Sequence, residues 1–186
     1  YEGVDLTPEE FYAAQQAGRD VSTSQPSPGD VMDLWDRVLE EYDALVYIPM
    51  SSGLSASCQT ALALADSYDG RVQVADLRRI SVTQKLAVLD GLELAKLGLS
   101  AVEIREELER VAMDAMIYIG VETLTYLRRG GRVTPAAAAL GSLLNIKPLL
   151  KIQGERLDAF AKVRGVRACK QRAVEALRES VEQFQA

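Results

Sequence analysis

Apolar positions along this chain fall into two rhythms. Val31, Leu34, Trp35, Val38 and Leu39 recur at helical spacing, which winds one apolar stripe around an amphipathic helix. Ala44-Leu45-Val46-Tyr47-Ile48-Pro49 is instead a short unbroken run, the pattern of a strand covered on both faces. The run empties into Ser51-Ser52-Gly53, and an Ala- and Leu-rich helix is expected to follow. The unit then repeats, with a strand over Arg71 to Ala75 and a helix over Thr83 to Leu97 that Gly98 stops. Ser100-Ala101-Val102-Glu103 opens another helix with a capping box, and Met116 to Gly120 reads as one more buried strand. Strands alternating with helices of this length imply α/β layering around parallel strands.

The flanks read differently. Thr7-Pro8-Glu9-Glu10 predicts a capped helix running to Gln16, and Ser27-Pro28-Gly29-Asp30 a second start after the polar stretch Gly18 to Gln25. Beyond Val121 come a short helix ending in Arg128-Arg129-Gly130-Gly131 and an Ala-rich helix from Pro135. Two strands around Gln153-Gly154-Glu155-Arg156 and a last helix from Gly165 to Phe184 complete the series. A hairpin implies a mixed sheet, so the expected architecture is a two-domain α/β chain. A Rossmann-like, parallel-sheet unit over residues 1–120 precedes an α/β unit with a mixed sheet over 121–186.

Composition narrows the chemistry. The 186 residues are 48% apolar and carry a net charge of −6, which suits an ordinary packed core and gives no footprint for nucleic acid. No run approaches the roughly 20 apolar residues of a membrane span, so stable membrane insertion is not expected. The start, Tyr1-Glu2-Gly3-Val4-Asp5, lacks a basic and then apolar leader pattern, and Cys58 and Cys169 lack metal-ligand spacing. Both features fit a cytoplasmic protein without a metal or other cofactor. Histidine is absent altogether, which removes the commonest general base.

Three stretches carry candidate chemistry. Ser51-Ser52-Gly53-Leu54-Ser55 places hydroxyls and free amide groups ahead of a helix, where an anion is favoured; ordinary capping explains the same serines. Gly53-Leu54-Ser55-Ala56-Ser57 also resembles the nucleophile elbow of serine hydrolases, with Ser55 or Ser52 as nucleophile. Serine stands where the final glycine belongs, and no histidine is available to activate it. Ser22-Thr23-Ser24-Gln25-Pro26-Ser27 is a second hydroxyl-rich loop, readable as a solvated turn or as a partner that converges with the first on one carboxylate. Arg128, Arg129 and Arg132, with Lys147 and the Lys162-Val163-Arg164-Gly165 stretch, form a basic set in an acidic chain. Helix-end charge accounts for Arg128 and Arg129 better than for Arg132 and Arg164.

Taken together these stretches resemble the DegV family of bacterial fatty-acid-binding proteins. The likeness is carried in order by Thr23-Ser24-Gln25-Pro26-Ser27, Ser51 to Ser55, Leu127 to Val133, Leu140 to Pro148 and Lys162 to Gly165. It implies a two-domain α/β protein that holds one long-chain fatty acid and has no catalytic residue of its own. The implied ligand-binding positions are Thr23, Ser24, Ser51, Ser52, Gly53 and Ser55. In some members a fatty acid kinase phosphorylates the presented carboxylate, and Arg132 and Arg164 match positions linked to the phosphoryl group or to docking of that kinase. The sequence departs from the family at Asp76-Leu77, where Asp-Ser is usual, and at Val82 to Leu86, which replace a glycine-rich segment. The family's Asp-Ser-Thr strand would precede Tyr1, and the end of its second domain, with a carboxylate-binding histidine in some members, would follow Ala186.

Overall fold

The computed structural model describes residues 5–139, 146–154 and 156–185. Helix α1, Pro8–Gln16, opens as expected: the Thr7 hydroxyl accepts the Glu10 amide at 3.2 Å and the Glu10 carboxylate accepts the Thr7 amide at 2.9 Å. Helix α2, Pro28–Leu39, is capped by Ser27 and buries Val31 and Trp35. Strands β1, Leu45–Tyr47, and β2, Val72–Val74, pair in parallel with Leu45 opposite Val72. Helix α3, Ser57–Ala65, lies between them in the chain.

Alternation along β1 decides what covers this small sheet. Leu45 and Tyr47 pack with Trp35, Cys58 and Ala61 of α2 and α3, whereas Val46 and Ile48 pack with Leu77, Ala87, Ile104 and Leu108. That second layer is α4, Ser81–Lys96, and α5, Ala101–Arg110. Gly98, at φ +88°, allows the turn between them, and Ser100 forms the expected capping box with Glu103. The first half is therefore a sheet with helices on both faces.

Strand β3, Ile117–Gly120, departs from the expectation. Its apolar run placed it with the parallel strands, yet it pairs antiparallel with β4, Ile146–Ile152, which pairs antiparallel with β5, Asp158–Arg164. The sheet order is β3-β4-β5, so Ile117–Gly120 belongs to the second sheet. An apolar run reports burial on both faces but not which neighbour supplies the hydrogen bonds.

One face of the second sheet packs on α8, Gly165–Gln185, where Tyr118 meets Phe160 with rings tilted by 60° and its hydroxyl meets that of Ser180 at 3.0 Å. The helix comes so close that a Cβ added to Gly120 would lie 2.7 Å from the Cys169 sulfur. The other face buries Leu150, Ile152 and Leu157 against Leu54, Leu124, Val133 and Ala137. Here sit α6, Thr125–Gly130, and α7, Pro135–Ala138. Leu54 belongs to the loop after β1, so this core joins the two sheets. Among the described residues no helix is long and apolar enough to cross a membrane.

Candidate functional site

The loop after β1 is organised by Ser51. This residue is fully buried; its amide donates to the Arg79 carbonyl at 2.9 Å, and its carbonyl accepts the Leu54 and Ser55 amides at 2.9 and 3.1 Å. Its hydroxyl accepts the Gly53 amide at 3.3 Å and donates to the Gly154 carbonyl at 3.4 Å, in the turn between β4 and β5. Ser51 thus fixes the turn from inside, while Ser52 keeps part of its surface exposed. The Ser55 hydroxyl accepts the Ser57 amide at 3.2 Å, a local cap for α3. Helix α3 therefore starts two residues beyond Ser55. Ser55 also lacks the positive φ that a strained elbow would impose, so its geometry is that of a capping serine and not of an exposed nucleophile.

The second hydroxyl loop reaches the same helix. Gln25 donates through Nε2 to the Thr60 hydroxyl at 3.0 Å, and Thr60 donates back to Oε1 at 3.3 Å. Thr60 lies one turn into α3, so the clasp ties the Ser22 to Ser27 loop to the helix that follows the Ser51 to Ser55 loop. Thr23 and Ser24 are exposed. They line a cavity of about 820 Å³ whose walls also include Leu6, Pro8, Phe11 and Tyr12. That volume lies within the range of small-molecule sites, roughly 300–1,000 Å³, and the lining, drawn from the segment before α2, mixes hydroxyls with apolar side chains and includes none of Ser51 to Ser55.

Arg132 is brought to this region as well. Its Nε donates to the Leu54 carbonyl at 3.3 Å, and its backbone carbonyl accepts the Leu157 amide, which holds the start of β5. Arg164 is at the opposite end of β5, opposite Ile146. At about 3.3 Å per residue the strand separates the two arginine backbones by roughly 20 Å. The structure therefore joins Arg132 to the Ser51 to Ser55 loop through Leu54, ties the Thr23 and Ser24 loop to α3 through Gln25, and leaves Arg164 at the far end of β5. The Leu140 to Asn145 part of the motif series lies outside the described residues, as does Glu155 of the hairpin turn.

Arg79 escaped the sequence reading. Its side chain is buried, donating through Nε to the Ala112 carbonyl at 3.1 Å and through Nη2 to the Val111 carbonyl. Burial lowers its pKa, and the carboxylates of Asp90 and Asp114 work in the opposite direction. In sequence it is one of two adjacent arginines in a loop, with nothing to separate it from an exposed charge.

The family model described as "Uncharacterised protein, DegV family" matches residues 1–186. A DegV domain-containing protein of Deinococcus radiodurans is 39% identical over 165 residues, which is 88% of this chain and 59% of that protein. The chain thus spans about three fifths of the length of the curated relatives it matches. Among solved structures, one described as fatty acid binding of a DegV family protein from Thermus thermophilus superposes with a TM-score of 0.86 at 34% identity. That likeness covers 97% of this chain and 65% of the other. DegV of Bacillus subtilis, described as a fatty acid binding protein, gives a TM-score of 0.77 at 31% identity over 93% of this chain and 62% of its own.

Proposed function

This chain belongs to the DegV family, and we propose that it binds a long-chain fatty acid in the cytoplasm and presents the carboxylate to a fatty acid kinase. The observation that supports the reading best is the clasp between Gln25 and Thr60. It ties one hydroxyl loop to the helix that follows the other, and the first loop lines a cavity of mixed hydroxyl and apolar residues. Thr23, Ser24 and Ser52 donate to the carboxylate, with Gly53 leaving room for it. Ser51 and Ser55 contribute by shaping the turn through their own bonds. Hydroxyl donors hold a carboxylate without a buried counter-charge, so the head group stays ready for transfer. The acyl chain supplies the affinity, at about 0.8 kcal/mol for each buried CH₂.

On this reading the chain contributes no catalytic residue, metal or cofactor, and the kinase carries out the phosphoryl transfer. The fatty-acid carboxylate receives the phosphoryl group; Arg132, bonded to the carboxylate loop, pairs with its charge, and Arg164, at the far end of β5, serves docking of the kinase.

Native mass spectrometry of the purified 186-residue chain, followed by identification of the released small molecule, tests the proposal. A single co-purifying fatty acid is expected. Thr23→Ala and Ser52→Ala should each weaken its binding about tenfold or more, as loss of a charge-assisted hydrogen bond would. A chain that carries no lipid and takes up none from added oleate would overturn the reading.

A further inference from the structure

The bonds around Ser51 close into a ring that crosses both sheets. Ser51 donates its amide to the Arg79 carbonyl, and the Arg79 guanidinium holds the Val111 and Ala112 carbonyls at the end of α5. The next residue, Met113, accepts the Gln153 side-chain amide on its carbonyl at 2.9 Å. Gly154, adjacent to Gln153, accepts the Ser51 hydroxyl and so closes the ring. Met113 touches the same turn a second way, because its methyl carbon lies 3.4 Å from where a Gly154 Cβ would be.

We propose that Arg79 is a positioning residue that ties the Ser51 to Ser55 loop to the end of α5, and through Met113 and Gln153 to the β4–β5 turn, so that the hydroxyl loop and the second sheet hold one geometry. The consequence for ligand binding rests on the fatty-acid reading above; the coupling itself does not. A guanidinium suits the task because its fork reaches two successive carbonyls, which an ammonium on a flexible stem cannot hold in the same plane. Its own backbone carbonyl holds Ser51, so a shift of the side chain's anchor is felt directly at the serine. Arg79 is not part of the cavity wall formed by Thr23 and Ser24 or of the Arg132 contact with Leu54, and it meets the hydroxyl loop at Ser51.

Hydrogen exchange on the full chain tests the coupling without any ligand. Arg79→Lys should speed exchange of the Leu54 and Ser55 amides, both bonded to the Ser51 carbonyl, by about tenfold, with α2 unchanged. Gln153→Ala breaks the ring at the far side and should speed the same two amides even if Arg79→Lys folds poorly. If either variant loosens only the end of α5 or the hairpin, and the Leu54 and Ser55 amides keep their rate, the coupling is wrong. Binding of palmitic acid and of hexadecanol is then compared in the same proteins. Weaker palmitate with unchanged hexadecanol marks an effect on the head group, which general loosening would not produce; equal loss of both overturns the positioning role. A wild-type chain that binds neither lipid sinks the fatty-acid reading alone, since the exchange pattern still decides whether Arg79 sets the loop.

Discussion

Gln25 and Thr60, 35 residues apart in the chain, hold each other through both ends of the Gln25 amide. This pair is the link by which a polar loop without regular structure gains a fixed place beside α3. Gln25→Ala and Thr60→Ala should each cost about 1 kcal/mol in urea denaturation, and the double variant should lose little more than either single one. Both should weaken fatty acid binding more than they weaken the fold, because the loop is released while the core clusters stay intact. Full additivity of the two stabilities would show that the pair does not act as one contact.

Gly154 has a backbone no side chain adopts readily, with φ at +103°, and Met113 stands against it. Gly154→Ala should destabilise by about 1–3 kcal/mol, read from thermal unfolding. Since its carbonyl receives the Ser51 hydroxyl, the same variant should also raise exchange in the Ser51 to Ser55 loop. An unaltered melting temperature would mean that the turn relaxes without strain.

Cys58 is wholly buried, and burial first, then the neighbouring Asp76 carboxylate, push its thiol up from an ordinary 9.0 to about 11. At pH values below 9.0 folded and unfolded chains both keep the proton, and the full stability is present. Between 9.0 and about 11 the unfolded thiol ionises first, so stability falls as pH rises through that window. Cys58→Ala should flatten this alkaline slope while lowering stability at neutral pH through the cavity it leaves. Urea midpoints measured across the window provide the check, and an unaltered slope would assign the alkaline loss elsewhere, Tyr47 being raised by burial too.

Trp35, the one tryptophan, is 1% exposed and meets Tyr47 and Tyr68 edge to face, yet its indole N–H has no partner among the described residues. Trp35→Phe gives up ring area but also removes a buried donor, so the net change should stay within about 1 kcal/mol. Trp35→Ala should cost about 3–5 kcal/mol. A large loss with phenylalanine would reveal that the N–H is bonded after all.

Much of the fold could be read from local chemistry. Thr7, Ser27 and Ser100 cap helices with residues three positions away, so their signatures sit whole within a few letters of sequence. The strand at Ile117 to Gly120 was legible as a strand but not as an antiparallel one, because pairing depends on β4, which lies far along the chain. The hydroxyl loops were legible as candidate ligands for an anion. Ser51's buried role was not, because the Gly154 carbonyl that takes its hydroxyl comes from 103 residues away. Arg132 and Arg164 looked alike as basic letters, and only the length of β5 separates them.

The ring through Ser51, Arg79, Met113 and Gly154 also sets a timetable for synthesis. The residue that completes it follows Ser51 by 103 positions. At a translation rate of about 5–20 residues per second, the ribosome needs roughly 5–20 s to supply it. During that interval α3 and the first sheet have all their residues, but the serine turn has no final shape. On the fatty-acid reading, the emerging chain therefore lacks a finished carboxylate loop until the hairpin has left the exit tunnel.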